Sequence, residues 1–113
     1  MYYVQKRMEI AAAHYLELDY ESKCKQLHGH NYIVVVYCKS EELDEQGMVY
    51  DFAHLKRDIH GVLDHHFLNE IFGFNPTAEN MAKWIADQVG ETCYKVSVQE
   101  SEGNIALWVR DDE

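Results

Sequence analysis

Cys24, His28 and His30 fall within one seven-residue stretch, Cys24-Lys25-Gln26-Leu27-His28-Gly29-His30. Residues i and i+2 of an extended backbone point to the same side, so His28 and His30 can approach one metal ion together. Gly29 between them adds no side chain where a ligand would sit. Neutral imidazole is the commonest protein ligand for zinc. A third histidine, His14, follows Ile10-Ala11-Ala12-Ala13. Three histidines on zinc leave one position open to water or substrate, which is the arrangement of a catalytic metal rather than a structural one. Beside such a centre Cys24 would be a reactive thiolate, nucleophilic or basic. Away from it, Cys24 would be an inert small hydrophobe.

Two carboxylates stand out as well. Leu63-Asp64-His65-His66 places an acid beside an imidazole at the end of a helical stretch. There the carboxylate can orient the imidazole, and the imidazole can exchange a proton with a thiol. The competing reading is a last helical turn whose histidines complement the dipole. Glu100 shares strand parity with Tyr94, Val96 and Val98, which puts it on an inward face. A buried, unpaired carboxylate costs several kcal/mol or becomes protonated. Either Glu100 lies in the adjoining hairpin turn, or it faces a pocket whose ligand supplies donors. A carboxylate binds the paired N–H edge of a guanidine-like group side by side, as in its pairs with Arg. The amino-pyrimidinone edge of a pterin or guanine offers the same donors.

The elements that must position these groups are legible from periodicity. Tyr2 to His14 alternates as a strand, with Met8, Ile10, Ala12 and His14 on one side. Asn31 to Cys38 is β-branched and aromatic, a second strand. Between them Tyr15 to Lys25 is a polar loop that delivers Cys24, and Ser40 to Gly47 is an acidic, solvated hairpin connection. Asp51 is placed to cap a helix whose apolar face carries Phe52, Leu55, Ile59, Val62 and Leu63. Thr77 caps a second helix with Ala78, Met81, Ala82, Ile85 and Val89 buried and Gly90 at its end; Asn80 in place of Glu leaves the capping box incomplete. Strands over Cys93–Glu100 and Ile105–Arg110 close the chain. The order β-β-α-α-β-β predicts an α+β fold, an antiparallel four-stranded sheet with both helices on one face.

Composition bounds the function. The 113 residues make one domain, 1–113, small for an enzyme working alone. A net charge of −10 opposes nucleic acid and anionic membranes as partners. No apolar run approaches the roughly 20 residues of a membrane span. The first seven residues lack the order of a signal peptide, and three cysteines without a CxxC pair fit a reducing compartment. A cytoplasmic protein is expected.

Together these segments resemble the 6-pyruvoyl-tetrahydropterin synthase superfamily. More narrowly, they are similar to its bacterial 6-carboxy-5,6,7,8-tetrahydropterin synthase branch in queuosine (7-deazaguanine) biosynthesis. The resemblance runs nearly end to end. It rests on Ala12-Ala13-His14, the Cys-x3-His-Gly-His segment, Val49-Tyr50-Asp51-Phe52 with Leu55-Lys56, Leu63-Asp64-His65, Leu68-Asn69, Pro76-Thr77-x-Glu79-Asn80 and Val96-x-Val98-x-Glu100. Three residues between Cys24 and His28 match the bacterial branch; the animal enzymes carry a longer gap. Ile10 departs from a phenylalanine in many relatives, at a position of core packing.

The resemblance implies zinc on His14, His28 and His30, Cys24 as acid/base, and Asp64 with His65 as its relay, His66 being the alternative imidazole. It implies Glu100 as pterin anchor and Thr77 and Glu79 as further substrate contacts. Lys23, Lys25, Arg7 and Lys56 are candidates for a triphosphate. The implied fold is the tunnelling fold (T-fold), with trimers stacked into a homohexamer and active sites between subunits. The implied reaction is a zinc-dependent lyase step on 7,8-dihydroneopterin triphosphate that releases acetaldehyde and triphosphate. A pyruvoyl-forming synthase and a catalytically silent zinc- or pterin-binding member are the rivals.

Overall fold

Strands β1 (Tyr2–His14) and β2 (His28–Ser40) pair antiparallel along their full length, from Tyr2 opposite Ser40 to His14 opposite His28. Alternation along both sends Met8, Ile10, Ala12 and His14, and Tyr32, Val34, Val36 and Cys38, to one buried face. In this computed structural model, which describes residues 1–111, β4 (Cys93–Ser101) adds antiparallel to β2 and β5 (Asn104–Val109) to β4. Gly103, at φ +82°, takes the left-handed turn position between the last two strands.

The fold class is α+β, as expected, but the sheet has five strands rather than four, in the order β3-β1-β2-β4-β5. The added strand, β3 (His66–Phe67), is two residues long and runs parallel to β1 at Ala12 and Ala13. So short a segment has no periodicity of its own, and only the neighbouring edge of β1 makes it a strand. The acidic stretch after Ser40 is not a hairpin either, since it leads from β2 into a helix. There Asp44 Oδ1 accepts from the N–H groups of Gln46 and Met48.

That helix, α1 (residues 52–63), starts where Asp51 accepts the Ala53 N–H at 2.8 Å. It is α-helical over Phe52–Leu55, π-helical over Lys56–His60 and α-helical again over Gly61–Leu63. Its buried residues, Leu55, Ile59 and Leu63, recur every four positions. In a regular α-helix each such step overshoots one turn by about 40°, and the wider π turn takes up that drift. Phe52 and Val62, assigned to the apolar face by simple helical spacing, are consequently exposed.

After a single turn, α2 (Leu68–Ile71), the longer α3 (Ala78–Val89) begins at Thr77, whose Oγ1 accepts the Asn80 N–H, and ends at Gly90. Met81, Ala82, Ile85 and Ala86 pack with Leu55, Ile59 and Leu63 onto the sheet's inner row, which Val96 and Val98 complete. Each fully buried aliphatic side chain there contributes roughly 1.5–3 kcal/mol. The helices thus cover one face of the sheet, and that face ends at His14, His28, His30 and Glu100.

Candidate active site and metal centre

His14 is the last residue of β1 and His28 the first of β2, so the antiparallel register sets them directly opposite each other. His30, two residues along β2, shares their face. Their ring centroids lie 4.7–5.1 Å apart, and one nitrogen from each falls within 4.8 Å of the others. The three residues predicted as metal ligands are therefore brought together.

Hydrogen bonds fix how the rings face. The Pro76 carbonyl accepts from His14 Nδ1 at 2.8 Å, and the Gln26 carbonyl accepts from His28 Nδ1 at 2.7 Å. A carbonyl can only accept, so both Nδ1 atoms carry the proton and both Nε2 atoms present lone pairs. Those two lone pairs converge at 3.1 Å. His30 Nε2 is buried without a hydrogen-bond partner. Two converging lone pairs and an orphaned buried nitrogen are unfavourable alone and are satisfied together by a cation, so the residues fit a metal ion. Burial holds His14 and His30 below the ordinary imidazole value, favouring the neutral form that ligates. The hydroxyl of buried Tyr32 lies 3.2 Å from His14 Nδ1. Burial, and secondarily the Glu100 carboxylate, push this phenol up, so it remains an O–H.

Glu100 lies in the pocket, not in the turn. Gln99 pairs with Ile105 and Ser101 with Asn104, which leaves Glu100 as the extra residue of a β-bulge. The bulge lies on the β5 side, and Glu100 keeps the inward parity of Val96 and Val98. Here the carboxylate stands 3.7 Å from His30 Nε2 and 3.8 Å from His14 Nε2. A cleft of about 540 Å³ opens beside it, with Leu16, Tyr20, Thr77, Glu79 and Asn104 among its walls. Thr77 and Glu79 thus adjoin Glu100, as the spacing alone could not show. Tyr94 departs from expected parity. A second bulge, opposite Cys38, turns it outward against Tyr3 and Tyr37.

Cys24 occupies a 3-10 turn, Lys23–Lys25, and is half-buried. The loop that carries it is held by residues that sequence reading missed. Asn69 bonds both backbone groups of Tyr15, at 2.9 and 3.0 Å, and Asn75 does the same for Glu17, at 2.9 and 3.1 Å. Each amide stands in for a strand partner, and Leu16 N–H then reaches the Cys24 carbonyl at 2.8 Å. The Leu68-Asn69 segment marked one of these positions, without its role.

Asp64 and His65 sit on the other side of β1. Asp64 Oδ1 accepts the Ala11 N–H at 2.9 Å, and the His65 N–H donates to the Ala11 carbonyl at 2.6 Å. His65 is the single described non-glycine residue with positive φ, +59°. It borders a shallow pocket that also takes in Ala11, Ala13, Gly29, His30 and Asn31. Among the described residues, no hydrogen bond or ion pair joins Cys24 to Asp64, His65 or His66 within one chain. His66 Nδ1 donates to the Asp64 carbonyl at 2.7 Å, whereas His65 faces the Asp64 carboxylate at 3.5 Å.

Comparison with known proteins agrees with this geometry. The chain is 34% identical to 6-carboxy-5,6,7,8-tetrahydropterin synthase of Bacillus subtilis, over 87% of this chain and 78% of that protein. It is 39% identical to the protein of the same name from Synechocystis, over 80% and 77% of the two chains. The solved structure of Caenorhabditis elegans 6-pyruvoyl tetrahydropterin synthase superposes with a TM-score of 0.76 at 27% identity, covering 97% of this chain and 96% of that one. The family model described as 6-pyruvoyl tetrahydropterin synthase matches residues 3–110, and the chain belongs to that family.

Proposed function

We propose that this single-domain protein is a zinc-dependent lyase. It converts 7,8-dihydroneopterin triphosphate and one water to 6-carboxy-5,6,7,8-tetrahydropterin in queuosine biosynthesis, releasing acetaldehyde and triphosphate. The observation that carries the reading is the convergence of three imidazoles and the Glu100 carboxylate beside one cleft. The names of the Bacillus and Synechocystis relatives support the choice of product.

His14, His28 and His30 would hold the zinc, which when bound acts as a Lewis acid toward the substrate's side-chain hydroxyls. Glu100 accepts two N–H groups from the pterin edge, with Thr77 and Glu79 on the adjoining wall. Cys24 removes a proton from the side chain, and His65, oriented by Asp64, exchanges that proton with Cys24. The latter pair lies along the edge of β1 away from β2 and makes no hydrogen bond or ion pair with Cys24 among the described residues, which supports supply from a neighbouring subunit. A homohexamer, a dimer of trimers, satisfies this requirement. Its trimers would join through the sheet edges that β3 and β5 leave unpaired, where Ile105, Leu107 and Val109 are more than half exposed.

The protein acts on a small molecule in the cytoplasm, not on nucleic acid or membrane; no described helix is long and apolar enough to cross a bilayer. The test is mass spectrometry after incubating zinc-loaded protein with 7,8-dihydroneopterin triphosphate. Acetaldehyde and the carboxylated pterin are the expected products. A pyruvoyl-tetrahydropterin would replace this reading with the pyruvoyl-forming one, and unchanged substrate would leave a silent pterin-binding protein.

A further inference from the structure

Asp64 carries two imidazoles, not one. Its Oδ1 is committed to the Ala11 N–H at 2.9 Å. Its Oδ2 faces His65 Nε2 at 3.5 Å and, from the opposite side of the sequence, His60 Nε2 at 3.6 Å. The two rings differ in their surroundings, because the His65 side chain is 82% exposed whereas those of His60 and Asp64 are only 28% and 21% exposed. His60 closes the π-helical segment of α1, and the Asp64 N–H donates to its carbonyl at 2.9 Å. Backbone and side chain of His60 therefore both bear on Asp64, one turn apart on the helix.

A carboxylate oxygen has two lone pairs. With Oδ1 tied to Ala11, the remaining freedom of Asp64 is the swing of Oδ2. His65 cannot limit that swing, since an exposed ring is itself free to turn. His60 can, because it is held in the helix and half enclosed.

We propose that His60 is a positioning residue for the Asp64–His65 pair. Its Nε2 stands 3.6 Å from Asp64 Oδ2, within ion-pair reach and beyond a formed hydrogen bond, and closing that gap holds the carboxylate so that its other lone pair is directed at His65. The inference rests on the reading of Asp64 and His65 as the relay. A surface helix pair with no such role would contribute nothing to turnover.

The experiment compares His60→Leu, His60→Gln, Asp64→Asn and the His60→Leu/Asp64→Asn double variant in the zinc-loaded oligomer, with 7,8-dihydroneopterin triphosphate as substrate. His60→Leu should lower kcat about tenfold, the order expected of a misplaced reacting group, with KM and zinc content unchanged. His60→Gln, which keeps an N–H donor, should recover most of that loss. In the Asp64→Asn background His60→Leu should have no further effect. A wild-type kcat in His60→Leu, a His60→Gln as slow as His60→Leu, or the same loss with Asp64 absent would each overturn the proposal.

A wild-type rate in Asp64→Asn would instead remove the relay and this inference together, which separates the two failures. One readout does not depend on turnover. The His60 imidazole N–H proton should be visible and slow to exchange by NMR in the wild type and lost in Asp64→Asn. Fast exchange in both would overturn the proposal whatever the substrate.

Discussion

The Glu100 carboxylate and the His30 imidazole meet at 3.7 Å between Oε1 and Nε2, although they come from β4 and β2 and are 70 positions apart in the chain. Glu100 keeps the inward parity of Val96 and Val98, one step beyond the last β2–β4 pair Ile33–Gln99, so its carboxylate continues the hydrophobic row toward the histidine cluster. The proposed pterin anchor and the proposed metal ligands thus share one rigid sheet, where relative placement is most accurate.

Glu100→Gln should retain zinc and lose pterin affinity. The amide keeps the shape but gives up the charge and one acceptor, and its NH₂ opposes the pterin's donors. Such a mismatch costs on the order of 2–3 kcal/mol, or roughly 30- to 150-fold in affinity. Calorimetric titration with a pterin checks this, and wild-type binding would remove Glu100 from the substrate site.

His28→Ala should abolish tight zinc binding. It removes one of three ligands and relieves the lone-pair contact with His14 at 3.1 Å, so the metal-free variant should be no less stable than the metal-free wild type. Metal analysis together with thermal unfolding reports both outcomes. About one zinc per chain retained in His28→Ala would overturn the centre as drawn.

Cys24→Ala should keep zinc, assembly and KM but lose about 10²–10⁴-fold in kcat, the usual contribution of a positioned acid/base. In the proposed centre three imidazoles supply the protein ligands of an open site, and a thiolate as fourth would close it. Loss of zinc from this variant, or normal turnover, would reassign the thiol.

Acid should destabilise the metal-free protein through His14 and His30. Both are held below the ordinary value of 6.5 by burial. Above that value neither the folded nor the unfolded form binds these protons, and stability is flat. As pH falls below it the unfolded chain takes up protons first, so stability drops until the folded value is passed. Melting temperatures of EDTA-treated protein between pH 8 and pH 5 should fall, and the decline should be shallower in His14→Gln. Equal slopes in the two proteins would contradict the assignment.

The rows are legible without any tertiary contact. Alternation along Met8–His14 and Asn31–Cys38, the His-Gly-His spacing and the caps at Asp51 and Thr77 are local properties of the backbone, so they survive into the fold unchanged. Wherever the chain departs from regular geometry, contacts between distant elements are the cause. Strand β3 exists because an edge of β1 is there to pair with, the π turn because Leu55, Ile59 and Leu63 must all reach one core, and the bulges because β4 has partners of different register on its two sides. The same holds for the site. The histidines could be named from spacing, but the Pro76 and Gln26 carbonyls that orient them, the asparagines that carry the Cys24 loop and the second imidazole on Asp64 come from segments distant in sequence or from a turn whose phase the core sets. Periodicity records which side of an element a residue occupies, and only packing between elements fixes what it faces there.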